Sequence, residues 1–144
     1  MSSESAYFVK LGGRQTIERV HEIFYGKMYA HPWLKQFFVA SPRKHQESQQ
    51  SDFIISILGG GPVYSGRIPK HAHTHLFITD EIFDIRHGLL AEALHDAGVS
   101  DELAEPWLRR DEKFRTMLVK QSIGECEGRY RTEEIIAPHK PAIM

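Results

Sequence analysis

The sequence predicts an all-α protein that folds as a single domain. Apolar residues recur three or four positions apart along most of the chain, which is the spacing of amphipathic helices. Glycine and proline pairs interrupt this pattern, and no segment longer than a few residues shows the alternation of a β-strand. The 144 residues match the length of one domain, which can enclose a core and roughly one ligand-sized pocket.

The composition is typical of a soluble globular protein and argues against several functional classes. Hydrophobic residues make up 41% of the chain and charged residues 26%. The net charge of −1 gives no reason to expect nucleic acid or an acidic membrane as a partner. No apolar run is long enough to predict a membrane span or a secretion signal. Cys126 is the single cysteine, so no internal disulfide can form, and we expect a cytoplasmic protein.

The first elements are a short helix and a long one. A helix around residues 5–10 ends at Gly12-Gly13. The second begins near Gln15 and ends before Pro32, because proline disfavours the α region for the residue that precedes it. The apolar stripe of this second helix consists of Ile17, Val20, Ile23, Phe24 and Met28.

A turn at residues 33–38 leads into the third helix. Ser41 is predicted as the N-cap of this helix and Pro42 as its first residue, and the helix ends near Leu58 at a run of glycines. Two glutamines precede the apolar residues on its predicted buried face, which is formed by Gln46, Gln50, Phe53, Ile54, Ile57 and Leu58. Partial exposure of the first turns is the simplest explanation of these amides.

The second half of the chain carries clear helix starts and stops. Pro69 opens a short helix that holds a group of histidines. Thr79 is the predicted N-cap of the next helix, and Gly98 closes it. Ser100 caps a last long helix, which Pro106 should bend or shift.

Beyond Gly124 the helical pattern ends. The remaining stretch contains prolines and charged residues without a regular apolar period. We therefore expect a domain at residues 1–123 and a flexible C-terminal tail at residues 124–144.

Three histidines stand at alternate positions in the sequence HAHTH. On a helix, His71 and His75 share a face and His73 points the other way. A zinc site built on the first pair lacks the further ligands that zinc requires. Leu76 and Phe77 place His73 on an apolar face, where it is either a core histidine bonded to a carbonyl or an inward metal ligand. The spacing alone leaves both interpretations open.

Tyr25 is a further polar candidate, and it lies in the second helix. It lies at the edge of the apolar stripe, and a buried hydroxyl needs a hydrogen-bond partner. Gln46 and Gln50 are candidate partners across the core. The three side chains form either a structural tyrosine–glutamine bond or a polar spot that receives a ligand.

Residues 7–123 resemble the truncated haemoglobins, the 2-on-2 globin family, and most of all their group I. The order and spacing of several short motifs carry this resemblance. They are LGG at 11–13, Phe24-Tyr25, Phe37-Phe38, Gln46 with Gln50, LGG at 58–60, Tyr64 with Gly66, Ala72-His73 and ITDEIF at 78–83. The resemblance implies a 2-on-2 helical sandwich around a haem, held without covalent attachment as haem b because the chain has no CxxCH motif.

The resemblance also implies a role for each matching residue. His73 corresponds to the proximal iron ligand, and Tyr25, Gln46 and Gln50 correspond to the distal polar residues. His71 and His75 then become surface residues or, at most, neighbours of the haem propionates. The residues expected to line the haem are Phe38, Phe53, Leu58, Tyr64, Ile78 and Phe83.

Three positions depart from the family or add alternatives. Arg86 lies near the distal side, where relatives carry an apolar residue or tryptophan, and its side chain either turns to solvent or reaches a propionate or the ligand pocket. Ile54 stands where some relatives have a phenylalanine facing a ligand tunnel. His45 could become a sixth iron ligand if its helix rotated.

The expected function is binding of O2, NO or CO at an open distal site. The expected reactivity is oxidation of NO to nitrate. An external reductase is expected because the chain has no flavin or nicotinamide motif. The alternatives are O2 storage, delivery or sensing without turnover, and a helical protein that has lost haem. We expect a cytoplasmic monomer that binds neither nucleic acid nor membranes.

Overall fold

The structure is a computed structural model that describes residues 3–64, 66 and 68–142. The described residues form α-helices joined by loops and short 3-10 turns, which confirms the all-α prediction. The 3-10 turns lie at Leu34–Phe38 and Ile123–Glu125. The helices are α1 (Ser3–Leu11), α2 (Gly13–Ala30), α3 (Arg43–Ile57), α4 (Pro69–Ala72), α5 (Asp80–Asp96), α6 (Asp101–Lys113) and α7 (Arg115–Leu118).

Helix α2 is the centre of the packing. It contacts α3 and α5, and α5 also packs against α6. The buried stripe predicted for α2 lies in the core, where Ile17, Val20 and Phe24 are at most 1% exposed. The core is completed by apolar residues of the other helices, including Ile54, Ile55, Ile82, Phe83, Leu90, Leu94 and Trp107.

Local signals set both ends of α5 and the start of α6. The Thr79 hydroxyl accepts a hydrogen bond from the Ile82 N–H, and the Ser100 hydroxyl accepts one from the Leu103 N–H, as predicted for N-caps. Gly98 has a φ of 83° after the end of α5, a conformation that glycine adopts without the steric cost a side chain would bring.

Two predicted helix boundaries are wrong. Helix α3 begins at Arg43, and Pro42 is the extended residue before it rather than its first residue. Ser41 therefore does not cap α3, and its carbonyl instead accepts a hydrogen bond from the Tyr29 hydroxyl. The last helix is divided at Phe114 into α6 and the short α7, although Pro106 is accommodated inside α6.

The segment that follows the second 3-10 turn lies against the body of the domain. The Phe77 N–H donates to the Ile136 carbonyl, and the Ile136 N–H donates to the His75 carbonyl, each at 2.9 Å. The Trp33 indole N–H donates to the Pro138 carbonyl. The sequence predicted no helix here but did not predict these contacts, and flexibility of the segment stays a prediction.

No helix in residues 3–64, 66 and 68–142 combines the length and apolar character needed to cross a bilayer.

A buried histidine joins α2 to α3. His21 is 1% exposed, and its Nδ1 lies 2.8 Å from the Ser51 hydroxyl oxygen. The edge of its ring also meets Trp107 at a centroid distance of 5.5 Å. Burial, aided by the charge of Arg86 and opposed by Asp111, lowers the pKa of His21 to about 3. His21 is therefore neutral in the folded protein at neutral pH.

This histidine predicts an acid-sensitive component of stability. Between pH 6.5 and about 3, the unfolded chain binds a proton at residue 21 that the folded chain does not. The free energy of unfolding should then fall by about 1.4 kcal/mol per pH unit as the pH decreases through this window. Urea unfolding of the wild type and His21→Gln at several pH values measures the slope, which the substitution should reduce by this amount. His71→Gln, at an exposed position, should retain it, and parallel curves for the wild type and His21→Gln would contradict the assignment.

Candidate functional site

A cavity of about 400 Å³ lies among α2, α3, α5 and the loops on either side of α4. Its volume is within the range of ligand-binding pockets. Both apolar and polar side chains form its wall. The lining includes Tyr25, Met28, Phe37, Phe38, Gln46, Gln50, Phe53, Tyr64, His73, His75, Ile78, Ile82, Phe83, Arg86, Phe114 and Arg129.

The structure brings nearly all of the predicted site residues to this one cavity. Tyr25, Phe38, Gln46, Gln50, Phe53, Tyr64, His73, Ile78 and Phe83 all line it. Leu58 does not, because it is the C-cap residue of α3 and is buried in the core with 1% exposure. Ile54 is likewise a core residue and is not among the cavity lining, and its effect on a path for ligands stays a prediction. His45 is exposed and lies at the cavity edge.

His73 is positioned by the end of α4. This helix stops at Ala72, so the expected helix through all three histidines is wrong, and His73 is its C-cap residue. The His73 Nδ1 lies 2.7 Å from the Pro69 carbonyl oxygen. A carbonyl oxygen only accepts, so Nδ1 carries the proton and Nε2 keeps a lone pair. Burial lowers the pKa of His73 to about 4, which keeps the imidazole neutral.

The two flanking histidines have different surroundings. His71 is exposed, as expected. His75 is buried with 7% exposure and lines the cavity, so the surface position is wrong for it, and the alternative of a propionate neighbour stays a prediction. The C-terminal segment causes this burial, since the His75 Nε2 lies 3.9 Å from the Glu133 carboxylate. In the part of the chain that the structure describes, no three His, Cys, Asp or Glu side chains are grouped for a metal ion.

Three polar side chains from α2 and α3 line the cavity without forming hydrogen bonds to each other. Tyr25 is 6% exposed, and burial raises the pKa of its hydroxyl, which therefore stays protonated. Within residues 3–64, 66 and 68–142, neither this hydroxyl nor the amides of Gln46 and Gln50 form a hydrogen bond with another side chain or carbonyl. The structural tyrosine–glutamine bond is thus absent there. All three side chains line the cavity, where their polar groups are open to a ligand.

Arg86 enters the cavity from α5. Its two terminal nitrogens donate to the two carboxylate oxygens of Asp111 at 2.9 and 2.7 Å. The His87 Nδ1 lies 2.7 Å from the same carboxylate. Burial acts to raise the pKa of Asp111, but the Arg86 charge and the hydrogen bonds from His87 and Arg86 lower it to about 2. The interpretation that Arg86 turns to solvent is therefore wrong, because its side chain is only 16% exposed.

Asp111 was not predicted as part of this site, although the sequence contained a signal. It follows Trp107 by four residues and therefore shares the buried face of α6, where an acid needs a partner. Arg129 was also missed. It reaches the cavity from the C-terminal segment, where it pairs with Glu133 and contacts the Ala72 carbonyl.

These features fit a haem. A neutral imidazole with a free Nε2 is a suitable axial ligand for haem iron. The aromatic rings of Phe38 and Phe83 supply flat apolar surface in the same cavity. Tyr25, Gln46 and Gln50 add hydrogen-bond donors for a small ligand, so the residues present suit both the cofactor and a molecule bound to it.

The sequence of this chain is similar to those of known proteins. The chain matches the bacterial-like globin family over residues 6–119. A group 1 truncated haemoglobin of Tetrahymena thermophila is 33% identical over 103 residues, covering 72% of this chain and 85% of that protein. One from Mycolicibacterium paratuberculosis is 33% identical over 98 residues, covering 68% of this chain and 72% of that protein.

A solved structure gives the same result. The crystal structure of the truncated haemoglobin from Tetrahymena pyriformis, in its Fe(III) form, has a TM-score of 0.71 with 32% sequence identity. The match covers 79% of this chain and 98% of that one. The predicted fold class is thereby confirmed. Because the family match includes every helix that encloses the cavity, the chain belongs to the bacterial-like globin family and has the truncated haemoglobin fold.

Proposed function

We propose that this truncated globin holds haem b non-covalently through His73 and binds O2, NO or CO. The observation that carries the proposal is the hydrogen bond from the His73 Nδ1–H to the Pro69 carbonyl, which leaves Nε2 free as a ligand. The relative from Tetrahymena pyriformis was solved in an Fe(III) form, so that protein contains iron. The absence of a CxxCH motif supports non-covalent attachment.

The side chains of the cavity favour a polar diatomic ligand. When bound, haem supplies an iron that coordinates O2 and transfers partial negative charge to it. The Tyr25 hydroxyl is protonated and donates to such a ligand, and the amides of Gln46 and Gln50 either donate as well or orient the hydroxyl. A hydrogen bond to a charged group contributes about 1.5–3 kcal/mol. Met28, Phe53 and other apolar lining residues exclude water and so slow oxidation of the iron.

The proposed reaction is the oxidation of NO by O2 to nitrate. One NO, one O2 and one electron give one nitrate ion, so each turnover requires a reductant. The sequence has no flavin or nicotinamide motif, and an external reductase is therefore part of the proposal. The donors at Tyr25, Gln46 and Gln50 support this chemistry because they retain O2 until NO arrives. A cytoplasmic location and a monomeric state also belong to the proposal.

The axial ligand is tested by two matched substitutions. His73→Ala removes the imidazole and should abolish or strongly shift the Soret band of the purified protein. His71→Ala, two residues away at an exposed position, should leave the ferric and ferrous spectra unchanged. An unchanged spectrum for His73→Ala would assign the ligand to another residue.

Tyr25→Phe tests the hydrogen bond to the ligand. Loss of a donor worth about 1.5–3 kcal/mol should raise the O2 dissociation rate about 10- to 100-fold, as measured by stopped-flow displacement with CO. Tyr29→Phe is the control, because the Tyr29 hydroxyl donates to the Ser41 carbonyl instead. Equal dissociation rates for the wild type and Tyr25→Phe would show that Tyr25 does not hold the ligand.

Rapid mixing of the oxygenated protein with NO separates turnover from storage. Stoichiometric conversion to the ferric spectrum within milliseconds, with one nitrate formed per haem, supports the NO reaction. Slow or absent conversion favours O2 storage, delivery or sensing. Absence of any Soret band in the purified protein would support the third alternative, a globin fold without haem.

A further inference from the structure

A cation lies in the wall of the cavity with its counter-ion behind it. Arg86 lines the cavity, whereas Asp111 and His87 are not among its lining residues. Asp111 is 3% exposed and receives both hydrogen bonds from the terminal nitrogens of Arg86. The ion pair is thus oriented with its positive group towards the cavity and its negative group away from it.

The guanidinium has hydrogen-bonding capacity left over. It carries five N–H groups, and Asp111 takes one from each terminal nitrogen in an end-on arrangement. That arrangement leaves a side-on pair of N–H groups, one on Nε and one on the adjacent terminal nitrogen. A side-on pair of this kind matches the two oxygens of a small planar oxyanion in a bidentate contact.

No aspartate or glutamate is among the described residues that line the cavity with Arg86. Arg129 also lines it, and its charge is paired with Glu133. The guanidinium is also enclosed by apolar surface, since its central carbon lies 5.7 Å from the centre of the Phe24 ring and 5.4 Å from that of Phe83. In such surroundings the attraction between a cation and an anion is much stronger than in water.

The charge of Arg86 affects the pKa values of Tyr25 and His73, which both line the cavity. Burial raises the pKa of the Tyr25 hydroxyl, and the charge of Arg86 acts in the opposite direction. Burial lowers the pKa of His73, and Arg86 lowers it further. The positive charge therefore acts on both the proposed iron ligand and the proposed hydrogen-bond donor.

We propose that Arg86 forms an anion-binding subsite inside the cavity, which takes small planar oxyanions such as nitrite and nitrate. Asp111 is a positioning residue that holds the guanidinium end-on and leaves its side-on edge to the anion. The positive charge of Arg86 favours anions over neutral molecules. The other hydrogen-bond donors of the cavity act on neutral diatomic ligands. The optical test of the subsite rests on the proposed haem function, but the subsite itself requires only the geometry of Arg86 and Asp111.

The test is the affinity of the ferric protein for sodium nitrite, compared with its affinity for the neutral ligand imidazole. The double variant Arg86→Met/Asp111→Asn removes both charges and leaves no unpaired buried ion. We expect its dissociation constant for nitrite, read from the Soret band at constant ionic strength, to rise about 10- to 100-fold, while that for imidazole changes less than about threefold. An unchanged nitrite affinity, or equal losses for nitrite and imidazole, would overturn the proposal.

Asp111→Asn provides a second test in the opposite direction. It retains Arg86 and an amide oxygen that still accepts a hydrogen bond from the guanidinium, but it removes the neutralising charge, so nitrite should bind more tightly than to the wild type. A weaker or unchanged nitrite affinity in this variant would also overturn the proposal. Calorimetric titration of nitrite into the same samples measures the affinity of the subsite for nitrite without using the Soret band. A sample that lacks the band but still binds nitrite through Arg86 would refute the haem function and leave the subsite intact.

Discussion

The site depends on one hydrogen bond at the end of a single helical turn. The Pro69 carbonyl accepts both the backbone N–H of His73, at 3.2 Å, and the Nδ1–H of its imidazole, at 2.7 Å. Because α4 ends at Ala72, the imidazole lies in a loop at the cavity and not on a helix face. Lys120 secures this loop by donating to the carbonyls of His73 and Leu76 at 2.6 Å. The contact with the Pro69 carbonyl fixes the tautomer that leaves the lone pair on Nε2.

Two buried polar residues on one face of α2 show how the fold separates stability from binding. His21 and Tyr25 are one turn apart, and both are at most 6% exposed. His21 has a partner in Ser51, which satisfies it within the protein and joins two helices. The Tyr25 hydroxyl has no such partner among the described residues, and Tyr25 lines the cavity. The same buried stripe therefore contains both a structural contact and a hydroxyl that is available to the proposed ligand.

Features determined by neighbouring residues could be predicted from the sequence, and those formed between distant segments could not. The caps at Thr79 and Ser100 and the break at Gly98 are local, and periodicity placed Gln46 and Gln50 on the inner face of α3. By contrast, His75 is buried only because the C-terminal segment returns to cover it. The Arg86–Asp111 pair joins α5 to α6 in the same way. The family resemblance placed His73 in one site with Tyr25, Gln46 and Gln50, and all four residues line the cavity. The helix predicted for His73 was nevertheless wrong.

The ion pair of Arg86 and Asp111 is difficult to explain by stability alone. Removing two charges from water carries a large desolvation cost, and apolar residues of similar volume often replace such a pair without loss of stability. Burial acts to lower the pKa of Arg86, yet Asp111 raises it overall, so the cation persists at every pH at which the fold is stable. A permanent charge facing the cavity cannot act as a pH switch, but it can distinguish anions from neutral molecules. It would also retain the nitrate ion formed in the proposed reaction, so the same residue that attracts an oxyanion would slow release of that product.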